Sequence, residues 1–221
     1  MVSNYRMAKV LWRIKMSMLQ SIENAMVTAI GKVHWTEKNL IVAEEQQIIR
    51  NKLSSDYYII LTRNNSHLST YAICISNFFL TGKWGYWGHA LMNFEDAVTS
   101  DADFKLVESV GVGVRYGTFD EVFATNSAVL LKPKNMDIGD WTLILDKAKS
   151  DIGKPYDTLF DLQQDKALSC VELVRDALKA DPTYSTSFAH FEAMVQKYDR
   201  ITPDMFYGCP DFEVAFEIRR R

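Results

Sequence analysis

The 221-residue sequence predicts an α+β domain that follows a helical N-terminal extension. Short runs of β-branched and aromatic residues, bounded by Ser, Asn, Gly or Pro, recur between residues 56 and 132 and are typical of strands. Longer stretches with apolar residues three or four positions apart predict amphipathic helices. One such helix begins at Cys170, and the predicted function depends on how this cysteine is interpreted.

The composition fits one well-packed domain with an appendage, since 48% of the residues are hydrophobic and 24% are charged. The net charge is −3, and basic residues cluster only at 219–221, so neither nucleic acid nor an anionic membrane is an expected partner. The three cysteines, Cys74, Cys170 and Cys209, lack CxxC spacing. They indicate neither a disulfide framework nor a zinc site, and we expect no metal and no cofactor.

Residues 1–20 lack the uninterrupted apolar core of a secretory signal, because basic residues divide the run. No other stretch reaches the roughly 20 apolar residues of a transmembrane helix. We therefore expect a cytoplasmic protein, or one carried in a larger particle such as a virion. The dividing residues are Arg6, Lys9, Arg13 and Lys15.

Two helical stretches form the predicted extension, residues 1–53. An apolar stripe with a spacing of three or four runs through residues 7–30, and Gly31 ends it. A second stretch spans residues 40–53. Neither carries obvious chemistry, so we expect the extension to dock onto a protein partner or to brace the domain, which occupies residues 54–221.

The predicted domain alternates strands with helices. A glycine-punctuated aromatic turn, residues 82–88, precedes the strand that starts with His89. An acidic segment, residues 96–103, is predicted to be a solvated loop because it lacks the Gly and the terminal Glu of a calcium loop. The predicted strands are residues 56–63, 89–94, 105–110, 114–116, 127–132 and, as an edge strand, 212–218. The predicted helices are residues 68–80, 118–121, 138–152, 170–178 and 188–198.

The helix that begins at Cys170 carries apolar residues on one face, at Val171, Val174 and Leu178. A thiol at this position lies among unpaired backbone N–H groups at the positive end of the helix dipole, which favours the nucleophilic thiolate. A lone cysteine is nevertheless more often a small buried apolar residue. A catalytic interpretation therefore needs a base, an orienting group and an oxyanion site elsewhere in the chain.

Three further polar residues are candidates for those parts. His89 starts a strand after the aromatic turn, Glu108 lies inside the next strand, and Tyr156 lies in a Gly-Lys-Pro-Tyr turn. Thiol hydrolysis needs a cysteine, a histidine and a carboxylate, in any order along the chain, because geometry alone defines such a site. Taken singly, His89 and Glu108 are more often ordinary strand residues. Glu172 is interpreted as structural, since a carboxylate is favourable at a helix N-terminus.

Four sequence segments carry these residues. In their order and spacing they resemble the circularly permuted papain-like hydrolases, in particular the YiiX-like branch of the NlpC superfamily. The resemblance covers residues 56–218 and departs at Val171, where the family usually has Ser. The segments are Gly88-His89-Ala-Leu-Met, Val107-Glu108-Ser-Val-Gly-Val-Gly, Gly153-Lys-Pro-Tyr-Asp157 and Cys170-Val-Glu-Leu-Val174.

The resemblance implies a permuted papain-like fold, with a central antiparallel sheet and the nucleophile-bearing helix packed on it. It also implies that Cys170 is the nucleophile, His89 the general base and later acid, and Glu108 the group that orients the imidazole. Tyr156 is the implied oxyanion donor, beside the backbone N–H of Cys170. The implied chemistry is acyl transfer through an acyl-thioester.

The sequence leaves three functions open. The first is an amidase or peptidase that acts on the peptides of bacterial cell-wall peptidoglycan, in a phage- or virion-associated protein. The second is a lipid acyl hydrolase or acyltransferase, since permuted members of this superfamily are known for that chemistry. The third is a structural or binding component, for instance of a virion, with an idle site. A peptide or acyl substrate is expected in the first two cases, and the N-terminal helices would suit a protein partner.

Overall fold

The computed structural model describes residues 39–93, 105–136, 138–157, 162 and 166–220. Within these ranges the chain forms six strands and eight helices. The strands are β1 (Ile59–Arg63), β2 (His89–Asn93), β3 (Lys105–Val110), β4 (Gly113–Thr118), β5 (Ser127–Pro133) and β6 (Phe212–Ile218). The helices are α1 (Ala43–Leu53), α2 (Leu68–Thr81), α3 (Phe119–Phe123), α4 (Ile138–Ser150), α5 (Cys170–Leu178), α6 (Tyr184–Ser187), α7 (Ala189–Tyr198) and α8 (Pro203–Tyr207).

Most of the predicted elements are present, and helices combined with a single sheet confirm the α+β class. The predicted helix at 7–30 and the predicted acidic loop at 96–103 lie outside the described residues. The sequence pattern misses α6 and α8, because helices of four and five residues are too short to show a helical period. No helix within the described ranges is long and apolar enough to cross a membrane.

All six strands pair in one antiparallel sheet, in the order β4-β3-β2-β1-β5-β6. β6 forms one edge, as its alternation of apolar and charged residues predicts. β1 begins at Ile59 rather than at Asp56. The reason is that the N–H of Tyr58 donates to the side-chain carbonyl of Asn93, at 2.5 Å, so the chain ahead of Ile59 is held by a side chain.

One face of the sheet carries the larger hydrophobic core, together with α4, α5, α7 and α8. α5 lies on β2 and β3, which is the packing expected for the helix that bears Cys170. Its residues Leu173, Val174 and Ala177 are completely buried in this core. Burying an aliphatic side chain such as that of Leu173 or Val174 stabilises the fold by about 1.5–3 kcal/mol, so the start of α5 is held on a rigid support.

The opposite face of the sheet forms a second core with α1 and α3. Alternate residues of the central strands, such as Ile60 and Leu91, point to this side because side chains alternate along a strand. Ile49 and Leu53 of α1 pack into the same cluster, as does Phe123 of α3. α1, which belongs to the predicted extension, therefore braces the sheet.

The segment after α4 is fixed to the turn between β3 and β4. The N–H of Gly153 donates to the carbonyl of Val114, and the N–H of Val114 donates to the carbonyl of Lys154, both at 2.9 Å. Gly113 makes this approach possible, because its φ is 109° and a Cβ on it would collide with the carbonyl oxygen of Lys154. The turn thus sets the position of the segment 153–157.

Replacing Gly113 by alanine should destabilise the protein by about 2 kcal/mol, since both the positive φ and the collision oppose a side chain. Urea unfolding followed by circular dichroism measures this loss. The matched control is Gly111→Ala in the same turn, where a Cβ would meet nothing within 4 Å. Similar unfolding free energies for the two variants would contradict the prediction.

Candidate active site

Cys170 is the first residue of α5, and the residues before it fix its position. Ser169 caps the helix: its hydroxyl accepts from the N–H of Glu172, at 3.4 Å, and its N–H donates to the Glu172 carboxylate, at 2.7 Å. The carbonyl of Leu168 accepts from the hydroxyl of Ser109 on β3, at 2.5 Å. The entry to α5 is therefore bonded to the sheet, and Cys170 is only 3% exposed.

His89 starts β2, and the turn before it is anchored from a distant part of the chain. The carboxylate of Asp204, on α8, accepts from the N–H of Tyr86, at 2.8 Å, and from the N–H of Trp87, at 3.1 Å. Trp87 is itself completely buried in the larger core. These contacts fix where β2 begins and therefore where the imidazole lies.

Glu108 lies on β3 and is 4% exposed. Its Oε2 is 2.9 Å from Nε2 of His89, and its Oε1 accepts from Arg115, at 3.0 Å from Nε and 2.8 Å from Nη2. The strand register explains both contacts: Glu108 is opposite Arg115 on β4 and opposite Leu91, two residues beyond His89, on β2. Opposite and diagonal residues on neighbouring strands contact each other, so the sheet itself brings the carboxylate to the histidine.

His89 links this carboxylate to the thiol. Since Nε2 is bonded to Glu108, Nδ1 is the ring nitrogen left for the hydrogen bond between His89 and Cys170. Burial lowers the pKa of His89, but the hydrogen bonds and charges of Cys170 and Glu108 outweigh this effect and raise the pKa to about 10. The raised pKa favours the imidazolium form of His89, and an adjacent imidazolium stabilises a thiolate.

The pKa of Glu108 moves in the opposite direction. Burial by itself raises the pKa of this carboxyl, but the hydrogen bonds and charges of His89 and Arg115 outweigh burial and hold the pKa below its usual value. Glu108 is thus ionised over the whole neutral range. Its charge and its hydrogen bond to Nε2 orient the imidazole and favour the protonated ring.

The other two cysteines have different surroundings. Cys74 on α2 and Cys209 after α8 are both buried. Burial raises the pKa of Cys74 to about 11 and that of Cys209 to about 12. Both remain thiols at neutral pH and are therefore weak nucleophiles.

Tyr156 lies in the loop beside the start of α5 and is half-buried. The carbonyl of the preceding residue, Pro155, accepts from the N–H of Leu168, at 3.0 Å. Leu168 is two residues before Cys170, so the structure brings the Tyr156 loop next to the other three predicted site residues. The role of Tyr156 as an oxyanion donor stays a prediction.

A shallow cleft opens at Cys170. Its walls come from α2, from the start of α5 and from the segment that joins α7 to α8. They are mostly apolar, with two hydroxyl groups and a guanidinium. The lining residues are Ile73, Ser76, Cys170, Val171, Arg200, Ile201, Thr202 and Pro203.

Arg115 and Asp204 support the site, and the sequence alone does not reveal either. Arg115 reaches Glu108 only because β4 pairs with β3 in one particular register. Asp204 lies 118 residues after Tyr86, whose backbone it holds. Contacts between residues so far apart in the chain leave no spacing pattern in the sequence. The strand pattern does place Arg115 in a strand next to that of Glu108.

No protein-family model matches the sequence, and no curated protein matches it. Among solved structures, the chain is similar to the one described as the metalloprotein YiiX from Escherichia coli O157:H7, DUF1105. The TM-score is 0.53 at 15% sequence identity, and the similarity covers 74% of this chain and 97% of that chain. At this identity the comparison shows a shared fold.

The neighbouring structure is described as that of a metalloprotein, which raises the question of a metal site in this chain. Among the residues that the structure describes, no group of three or more His, Cys, Asp or Glu side chains is placed to hold a metal ion. His89 and Glu108 are instead bonded to each other. This set of donors therefore does not fit a metal ion.

The raised pKa of His89 should depend on Cys170. In the wild-type protein, NMR of the imidazole should show His89 still protonated at about pH 8. Cys170→Ala removes one hydrogen bond and one charge, so the titration midpoint of His89 should fall by about 1–3 pH units. Cys209→Ala, which removes a buried thiol elsewhere, is the control and should leave the midpoint unchanged. A midpoint that Cys170→Ala does not lower would disprove the coupling.

Proposed function

We propose that the protein is a cysteine hydrolase that acts through an acyl-thioester intermediate. The observation that carries this proposal is the position of His89, which is hydrogen-bonded both to Cys170 and to the buried carboxylate of Glu108. These contacts would join a nucleophile, a base and an orienting acid, which are the parts of a thiol hydrolase. The resemblance of the four sequence segments to the permuted papain-like hydrolases supports the same conclusion.

The reaction follows from the charge state of the site. The Cys170 thiolate attacks the carbonyl carbon of the substrate, and the carbonyl oxygen becomes an oxyanion. The oxyanion collapses, the bond to the leaving group breaks, and the leaving group takes the proton from Nδ1 of His89. Water then gives a proton to Nδ1, its oxygen attacks the thioester carbonyl, and the C–S bond breaks. The products are an acid and the released group, with the imidazolium and the thiolate restored.

The oxyanion needs donors that already point to it. The backbone N–H of Cys170 is one candidate, because the first N–H groups of a helix have no partner within the helix. The hydroxyl of Tyr156 is the second candidate, since its loop is bonded to the residues just before α5. Both donors belong to parts of the chain that the capped helix start and the Pro155 carbonyl hold in place.

For the substrate class, we favour a peptide amide, in particular of bacterial cell-wall peptides. The cleft beside Cys170 is small and combines apolar walls with the hydroxyls of Ser76 and Thr202 and with Arg200. Such a lining suits an amino-acid side chain together with its polar backbone. A permuted papain-like hydrolase that is carried by a phage or a virion remains the biological setting that we propose.

One observation favours lipid acyl groups as a second candidate. The last turns of α2 and the following loop expose three aromatic side chains, Phe78, Phe79 and Trp84. Phe78 stacks on Trp84, with 5.0 Å between the ring centroids. α2 also supplies Ile73 and Ser76 to the cleft, so this aromatic cluster lies on an element that borders the site. Aromatic rings of this kind suit contact with an acyl chain or a lipid surface.

Limiting iodoacetamide at neutral pH should label Cys170 before Cys74 and Cys209, whose raised pKa values keep them protonated. Peptide mapping by mass spectrometry identifies the labelled residue. His89→Ala should slow labelling of Cys170 on the order of tenfold or more, because the imidazolium is lost. His190→Ala is the matched control: His190 also contacts a carboxylate, Asp211, at 2.7 Å, but belongs to α7. Equal labelling of all three cysteines would count against a hydrolase.

A substrate panel should then separate peptide amides from lipid esters. Peptidoglycan fragments and phospholipid or acylglycerol esters are incubated with the protein, and products are followed by mass spectrometry. We expect new carboxyl termini from the peptides, and no product with Cys170→Ala. Release of fatty acid alone, again absent with Cys170→Ala, would select the lipid candidate instead.

A further inference from the structure

Two buried carboxyl groups face each other beside the nucleophile. Asp157 ends the Gly153-Lys-Pro-Tyr-Asp157 segment and is 5% exposed. Glu172 lies in the first turn of α5, two residues after Cys170, and is 6% exposed. Their side chains are within hydrogen-bonding reach of each other. Carboxyl groups are rarely buried to this extent unless each has a partner, so the contact needs a physical explanation.

The two oxygens of Glu172 have different surroundings. Oε2 accepts the N–H of Ser169, at 2.7 Å, as part of the helix cap. Oε1 is buried and receives no hydrogen bond from any described residue. Two ionised carboxylates have no donor between them, and a buried oxygen without a donor is unfavourable. One proton on either group turns the contact between Glu172 and Asp157 into a hydrogen bond.

The electrostatics of Glu172 agree with this geometry. Burial raises the pKa of Glu172, the two bonds to Ser169 lower it, and the charge and hydrogen bond of Asp157 raise it further, to about 7. Arg200 is buried and lines the cleft at Cys170. Other charged groups on the elements around α5 have partners elsewhere. They are paired as Lys147 with Asp151 and Asp176, Lys154 with Asp151, Arg175 with Glu192, and His89 with Glu108.

The contact between Asp157 and Glu172 joins the loop that carries Tyr156 to the helix that carries Cys170. Asp157 directly follows Tyr156, and its loop is held at the other end by the bond between Gly153 and Val114. Glu172 is in the same helical turn as Cys170. A bond between the two carboxyl groups therefore closes the loop onto the start of the nucleophile helix.

We propose that Asp157 and Glu172 share one proton, and that this shared proton ties the loop of Tyr156 to the first turn of α5. Both are then positioning residues for Cys170, and the catalytic part of this inference rests on the proposed hydrolase function. When the proton leaves, two carboxylates face each other in a buried site and repel. The loop and the helix start then keep the Leu168–Pro155 bond but lose the carboxyl contact, so the site is closed at acidic to neutral pH and loosened at alkaline pH.

The raised pKa of Glu172 determines whether the folded protein gains or loses stability as the pH rises. Glu172 binds its proton more tightly in the folded protein than in the unfolded chain. The stabilisation is therefore complete at a pH below the usual range of a carboxyl and is lost as the pH rises through about 7. Glu172→Gln replaces the shared proton by an amide N–H, which does not titrate and can donate to an Asp157 oxygen in its place.

Thermal unfolding as a function of pH tests the pair without any assay of activity. Between about pH 5.5 and about pH 8.5, the Tm of the wild-type protein should fall by about 5 °C more than that of Glu172→Gln. Glu45→Gln is the matched control, since Glu45 accepts the N–H of Val42 in the first turn of α1 and faces Arg220 instead of an acid. This control should keep the wild-type slope.

The rate of Cys170 alkylation tests the consequence for the site. The ratio of the Glu172→Gln rate to the wild-type rate should be near one at about pH 6 and about threefold higher at about pH 8.5. Asp157→Asn should behave in the same way, and it replaces Glu172→Gln in both measurements if Glu172→Gln does not fold. Parallel Tm slopes in wild type and variant would overturn the shared proton. A sloped Tm with a constant rate ratio would overturn the positioning role, and failure of the hydrolase proposal would leave the Tm result intact.

Discussion

The buried carboxylate of Glu108 is the group on which the site depends. It binds Arg115 with one oxygen and His89 with the other, so a single acid sets both the orientation and the charge of the imidazole. A carboxylate this deeply buried is stable only when its oxygens are bonded. The register of three neighbouring strands meets that requirement. The relation of base to acid is therefore a property of the sheet and does not rely on a surface loop.

The second constraint acts at the start of α5, where two opposing effects meet at Glu172. The helix dipole favours an ionised carboxylate at this position, by about 0.3–1 kcal/mol. Burial against Asp157 favours the protonated form and raises the pKa of Glu172 from 4.5 to about 7, which corresponds to roughly 3 kcal/mol. Burial therefore prevails. The helix-end argument explains why a glutamate caps the helix, but it does not predict that burial raises the pKa of this carboxyl towards neutral pH.

Local signals predicted much of the fold. The strand of His89 and the helix of Cys170 show clear periods and boundaries, and both occur at the predicted positions. The sequence could not predict contacts that depend on strand register or on distant segments, such as those of Arg115 and Asp204. The late start of β1 has the same origin, because the side chain of Asn93 replaces a strand partner. The permuted papain-like interpretation is a proposal that rests on four short sequence segments, whereas the comparison with YiiX shows a shared fold.

The anchoring of the turn before His89 by Asp204 has a consequence for how the protein is made. During synthesis the histidine strand emerges long before α8, yet the backbone of Tyr86 and Trp87 finds its carboxylate partner only after residue 204 has been added. Cys170 also emerges before that point. A nascent or truncated chain that ends before α8 therefore lacks the contact that fixes the start of β2 and, with it, the His89 imidazole. The geometry of the candidate site is thus completed only when nearly all of the described chain is present.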